Sequence, residues 1–296
     1  MVINHGNLQS LFTSFNTAFN KGYETAESHY QDIAMVVQSG SAEEMYTWLG
    51  QFPTLREWIG EREIQSLFLN SYKIINKDFE LTLGVPRNDV MDDRIGIYKP
   101  LMQNMGEQVK QHPDELLFNL ILKGFTEKCY DGQSFFSNAH PWGKGATQSN
   151  LSDKKLTPEN YGNARVSMMS IKGEHGRILK IKPNLLLVPP SLETEARKIL
   201  FSDLVDGSSN PYKDTADLIV APELQNKPDA WFLLSTKVSL RPFIFQEREK
   251  PKFVSKTNDS DDSVFYRKEY IYGVDSRYNA GFGLWQLAFG STGTNE

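Results

Sequence analysis

The chain has 296 residues, 39% hydrophobic and 12% aromatic, enough to bury the core of one large domain or two modest ones. A formal charge of -5 supplies no general attraction for a phosphate backbone, so tight nucleic-acid binding is not expected. A mean hydropathy of -0.46 and the lack of any apolar run of about 18 residues exclude a helical membrane span, while a single cysteine, Cys129, excludes an intrachain disulfide and a cysteine-built metal cage.

Met1-Val2-Ile3-Asn4-His5-Gly6 lacks the basic and apolar regions of a secretory signal, so export is not expected and a cytoplasmic origin follows. Leu8, Leu11, Phe12, Phe15 and Phe19 recur at helical spacing. They make one apolar stripe on an amphipathic helix, which must lie either on this protein's own core or on a neighbour. Trp48, Leu49, Phe52, Leu55, Trp58 and Ile59 surround Pro53, predicting a turn and then a helix from near Thr54 that continues through Ile64, Leu67 and Phe68. Phe79, Leu81, Leu83 and Val85 alternate with period two beyond a polar turn at Asn76-Lys77-Asp78, so residues 72–85 read as a β-hairpin. A lone hairpin is marginal in water, and this one needs a body or a partner chain beneath it.

From Tyr98, Leu101, Met102, Met105 and Val109 return to helical spacing. Pro113 restarts the pattern through Leu116, Leu117, Leu120, Ile121 and Phe125, which predicts one long kinked rod. Residues 133–153 are polar and rich in Gly and Ser, a surface loop. Thr157-Pro158-Glu159 caps and opens a helix with Tyr161, Ala164, Met168 and Ile171 on one face. Residues 185–188 form a buried strand ending at Pro189-Pro190, after which Ser191 caps a helix carrying Leu192, Ala196, Ile199 and Leu200. Further strands are predicted at 218–221, 231–234, 243–245, 270–274 and 283–289, with 250–262 a solvated loop. Helices early and strands late indicate an α+β fold.

Cys129 and His140 are the pair from which a cysteine enzyme would be built, because a thiolate needs an imidazole or a cation beside it. Their spacing matches no catalytic signature, and a lone cysteine is more often a small buried hydrophobe. His5, His29, His112, His140 and His175 show no paired helical ligand spacing, so no metal is expected. Gly143-Lys144-Gly145 and Gly281-Phe282-Gly283 lack the context of a phosphate loop, and no cofactor is expected. The adjacent carboxylates Asp92-Asp93 and Asp261-Asp262 point apart and read as solvated. What remains is an amphipathic arm, a long hairpin and aromatic-rich connections, elements that look for large interfaces.

Six blocks, in this order, resemble the major head subunit T family of Mu-like phages and prophages. They are Leu11-Phe12-Thr13-Ser14-Phe15-Asn16-Thr17-Ala18-Phe19, Trp48-Leu49-Gly50-Gln51-Phe52-Pro53-Thr54-Leu55-Arg56-Glu57-Trp58-Ile59-Gly60, and residues 72–85 with Phe79-Glu80-Leu81-Thr82. Asp131-Gly132-Gln133-Ser134-Phe135-Phe136-Ser137 with Ala139-His140-Pro141, then Leu187-Val188-Pro189-Pro190-Ser191-Leu192-Glu193, and finally residues 273–286 complete the set. The resemblance implies an α+β, Hong Kong 97-like major capsid fold. Its parts would be an N-terminal arm and connecting helix over 1–60, an extended loop within 61–91, a peripheral domain with a spine helix over 92–184, an axial domain over 185–240, and a return to the peripheral domain over 241–296.

The implied function is that of a non-enzymatic shell subunit, assembling with copies of itself into hexamers and pentamers around phage DNA, touched only weakly. A separate scaffold, a maturation protease and a portal are the implied partners, and assembly would take place in the bacterial host cytoplasm. Phe12, Phe15 and Phe19 would dock the arm, and Phe79, Leu81 and Leu83 would anchor an extended loop with Asn76, Lys77 and Asp78 at its tip. Covalent cross-linking through Lys77 is not expected, since no acceptor is identified. A bacterial nanocompartment shell shares the fold and is the alternative, with a cysteine enzyme built on Cys129 and His140 behind it.

Overall fold

A computed structural model describes residues 2–50, 72–142, 146–173, 176–205 and 207–295. The turn and helix predicted around Pro53 and Thr54 fall outside these residues, as do Gly143-Lys144-Gly145 and His175.

The chain opens with α1 (His5–Thr25), where the Asn4 side chain accepts the Asn7 N–H at 2.8 Å and satisfies one free donor of the first turn. Then come α2 (Tyr30–Ile33), β1 (Ala34–Gln38), β2 (Glu43–Tyr46), β3 (Tyr72–Ile75), β4 (Lys77–Pro86) and α3 (Arg87–Met91). The long helix α4 (Lys99–Lys123) runs through Pro113, whose missing N–H leaves the Val109 carbonyl without its helical donor. The neighbouring Asp114 carboxylate is buried and accepts from the N–H groups of His29 and Tyr30, both at 2.7 Å, pinning the start of α2 to the middle of α4.

Beyond α4 lie β5 (His140–Trp142), β6 (Ala146–Gln148), β7 (Leu151–Lys154), α5 (Pro158–Met169), β8 (Leu185–Val188), α6 (Glu193–Phe201), β9 (Leu204–Val205) and β10 (Ser208–Ser209). The chain continues with β11 (Asp217–Val220), β12 (Trp231–Leu234), β13 (Phe243–Lys256), α7 (Asp262–Arg267), β14 (Glu269–Phe282) and β15 (Ala288–Asn295).

Among the described residues the strands build two larger sheets. One has the order β1-β13-β14-β4, with β13 and β14 forming a 14-residue antiparallel ribbon and β1 joining β13 in parallel. The other has the order β11-β8-β12-β15-β7. Its central strands β8 and β12 are buried at every position, which is why they read as continuous apolar runs rather than alternating ones. The main core spans this sheet, α5, α6 and the C-terminal half of α4. A second core joins α1, the N-terminal half of α4 and the β4–β14–β13 face of the long sheet.

Several expectations need correction. The strands on either side of Asn76 do not form a hairpin: β3 pairs with β2, and β4 pairs with β14 over its whole length. Alternation within β4 marked it as half-buried strand but could not name its partner, which lies almost two hundred residues along the chain. Residues 133–153 are not simply a surface loop, since Phe135, Phe136, His140 and Asn150 are all fully buried within it. Ser191 does not cap α6; its hydroxyl donates to the Pro228 carbonyl, and Leu192 occupies the cap position. The segment expected as solvated loop from Lys250 is strand through Lys256. Residues 283–289 are not one strand: a 3-10 turn at Trp285–Leu287 interrupts them before β15, which lies between β12 and β7.

Candidate assembly interface

The three phenylalanines of α1 face inward. Phe15 meets Tyr272 edge to face at 4.9 Å, and Phe19 stacks on Phe253 at 5.2 Å, both within this chain's second core. Phe12, half-buried, lies 5.5 Å from Phe253. The helix is drawn down onto α4 through two glycines. A Cβ on Gly22 would sit 1.9 Å from the Gln103 carbonyl oxygen, and one on Gly106 would sit 2.1 Å from that of Phe19. Only hydrogen at both positions lets the backbones approach this closely.

Asn76, expected at an exposed tip, is buried at the root of the β2–β3 ribbon. Its Nδ2 donates to Ser39 Oγ at 2.9 Å and to the Ser41 carbonyl at 2.8 Å, while its Oδ1 accepts from Gln246 Nε2 at 2.7 Å. Gln246 in turn accepts the Tyr46 hydroxyl at 2.9 Å, and the Phe282 N–H donates to the Tyr72 hydroxyl at 2.8 Å. These bonds tie both strands of the ribbon to β13 and β14. Lys77 and Asp78 are exposed, with Asp78 3.3 Å from Arg277 on the neighbouring strand.

Phe79 stacks on Tyr278 at 4.9 Å and touches the His112 ring at 4.4 Å, on the wall of a groove of about 200 Å³ between α4 and the sheet. His112 accepts or donates across 2.7 Å to the Tyr278 hydroxyl. Burial lowers the His112 pKa and pushes that of Tyr278 up to about 12. Leu81 and Leu83 pack on the second core beside the arm phenylalanines. The structure thus brings Phe12, Phe15, Phe19, Leu81 and Leu83 together, and sets Asn76 and Phe79 apart from them.

Cys129 and His140 do meet, with Asp131 between them. Cys129 Sγ donates to Asp131 Oδ1 at 3.2 Å, and His140 Nδ1 lies 2.6 Å from Asp131 Oδ2. Asn150 fixes the far side of the ring: its Nδ2 donates to the carbonyls of Phe135, Trp285 and Ala288, leaving Oδ1 as acceptor for His140 Nε2 at 3.1 Å. Both ring nitrogens face acceptors, and the ring stacks on Trp285 at 3.9 Å. Burial raises the Asp131 pKa, but the His140 hydrogen bond and charge, the Gln133 N–H and the Cys129 thiol outweigh it and hold the carboxyl below its usual range. Burial and the adjacent Asp131 carboxylate push the thiol far up.

A thiol held protonated beside a carboxylate is the opposite of an activated nucleophile, so the cysteine-enzyme alternative has no chemistry here. The three side chains have metal-ligand donors within 4.8 Å of one another, but each is already hydrogen-bonded to another of the three, and the trio is a structural lock. Sequence reading missed Asp131 and Asn150 because neither is unusual in a Gly- and Ser-rich stretch; only their burial reveals them.

Comparison with known proteins gives concordant matches. The family described as Mu-like prophage major head subunit gpT matches residues 8–158, 151–224 and 223–295. The major capsid protein of Escherichia phage Mu is 34% identical over 288 residues, covering 97% of this chain and 74% of that protein. The Mu-like prophage FluMu major head subunit of Haemophilus influenzae is 32% identical, covering 95% of this chain and 71% of its own length. Among solved structures, a chain of the procapsid of bacteriophage JBD30 is 37% identical, superposes with a TM-score of 0.61, and covers 98% of this chain and 76% of its own.

Proposed function

The chain belongs to the family of Mu-like prophage major head subunits, and from that premise we propose how its parts build a phage head. It is a structural capsid protein that associates with copies of itself in a shell, with no membrane-spanning helix among the described residues. The observation that carries this is the family match along almost the whole chain, joined to the fold of a solved procapsid subunit. The nanocompartment alternative shares the fold, but the relatives that match along the sequence are phage heads.

In our reading the long sheet with α4 as spine is the peripheral body, and the five-stranded sheet is the axial body. The extended loop is better placed over 43–75 than over 61–91, because β2 and β3 pair as one antiparallel ribbon tied to β13 and β14, whereas β4 pairs with β14 over its whole length. Phe12, Phe15 and Phe19 serve assembly indirectly, by clamping the arm to its own subunit. Phe79, Leu81 and Leu83 likewise hold β4 against α4 and the arm, while Lys77 and Asp78 offer charged groups at the ribbon's root. Hexamers and pentamers of this unit would enclose double-stranded DNA without gripping it, in keeping with the charge of -5. A separate scaffold, a maturation protease and a portal complete the proposed assembly in the host cytoplasm.

The test replaces residues 51–71 by a short Gly/Ser linker. Sizing with light scattering should show the wild type in large assemblies and the variant as free subunits with an unchanged unfolding midpoint. Shells formed equally well by the variant would remove 43–75 from the mechanism.

A further inference from the structure

The groove beside Phe79 is lined from three elements. β14 contributes Val274, Ser276 and Tyr278, all buried, β4 contributes Phe79 and Leu81, and α4 contributes Val109 and His112. β4 is the outer strand of its sheet, so among the described residues no further strand closes the groove on that side. Its volume of about 200 Å³ lies below the roughly 300–1,000 Å³ of sites for drug-sized molecules, which suits an occupant of fragment size.

The chemistry of the lining names the class of that occupant. Phe79, Leu81, Val109 and Val274 offer apolar surface, and the rings of Phe79 and Tyr278 offer π faces, which attract a cation. Glu80 and Glu115 line the groove, whereas no Lys or Arg does. The Glu115 carboxylate is near enough for its charge to act on both His112 and Tyr278, which places it beside those two side chains. Burial lowers the His112 pKa against that charge, so the imidazole is neutral at pH 7 and does not offset the carboxylate. Lys110, next to Val109 in the chain, is engaged instead over the Tyr23 ring at 5.3 Å.

We propose that this groove binds a small organic cation, an aromatic or alkyl group of fragment size that carries one ammonium. The apolar body lies against Phe79, Leu81 and Val274, and the ammonium meets Glu115 beside the aromatic rings. A ligand held there joins β4, β14 and α4, and stabilises the folded subunit in proportion to its occupancy. An anion of the same shape is repelled by the same carboxylates. The site belongs to the single subunit and goes beyond the shell reading without resting on it.

The probe is benzylamine, added to the full chain at neutral pH, with benzyl alcohol and benzoate as neutral and anionic molecules of matched shape. Shifts of the His112 ring protons by NMR locate the binding, and the unfolding midpoint reads the stabilisation. Glu115 is exposed, so Glu115→Gln keeps the fold, and Glu107→Gln removes a carboxylate of the same helix that does not line the groove. Benzylamine should shift His112 in the millimolar range and raise the midpoint. Benzyl alcohol should bind about fivefold more weakly and benzoate more weakly still. Glu115→Gln should weaken benzylamine about fivefold and leave benzyl alcohol unchanged, while Glu107→Gln alters neither. A His112 ring that benzylamine does not shift overturns the site. Equal binding of all three probes overturns the choice of a cation, and equal losses in the two glutamine variants overturn the role of Glu115; each of these results leaves the shell reading standing.

Discussion

Asp131 holds two otherwise unrelated side chains in one buried cluster, and its removal takes the acceptor from both the Cys129 thiol and His140 Nδ1. Asp131→Asn keeps the shape but takes away the charge that faces His140, so it should destabilise the subunit by about 3 kcal/mol, the lower part of what breaking a buried pair costs. Urea unfolding of the two proteins at neutral pH measures this. The pH dependence has a definite sign. The folded carboxyl is held below its usual range, so its contribution is present above the unfolded pKa and is lost as pH falls through the folded one. The gap between wild type and variant should therefore narrow in acid below the ordinary carboxylate range, and a gap that widens there would contradict the assignment.

At the scale of elements, the arm depends on a crossing that tolerates no Cβ. Gly22→Ala or Gly106→Ala forces a methyl into the backbone of the facing helix, and each should cost about 1–3 kcal/mol by overpacking and release α1 to proteolysis ahead of the body. Limited digestion followed by mass measurement reads the order of cleavage. An arm as resistant as the wild type's would show that α1 and α4 do not meet in this way. The helix itself was legible, because Leu11, Phe15 and Phe19 repeat at helical spacing and all three are buried. Its destination was not, since a stripe shows which face is covered but not by what. The same limit applies to β4, whose alternation was clear and whose partner β14 was not. In the stretch from Gln133, composition points to solvent, yet His140 and Asn150 are buried because Asp131, each other and three backbone carbonyls satisfy their hydrogen bonds.

For the whole molecule, the α+β class and the capsid family could both be read from ordered sequence blocks, whereas the division of labour between the two sheets could not. The reason is β15. It follows β14 after a single 3-10 turn yet belongs to the other sheet, so the chain end ties the two bodies together. A subunit built in this way can behave as one rigid tile.

The most direct test of the central claim is electron cryo-microscopy of particles purified after co-expression with the scaffold. The account predicts closed shells in which each subunit keeps both sheets and the spine as one body, with residues 43–75 lying over a neighbouring copy. Particles in which that segment folds back on its own subunit would contradict the assembly mechanism, and the absence of any particle would contradict the function itself.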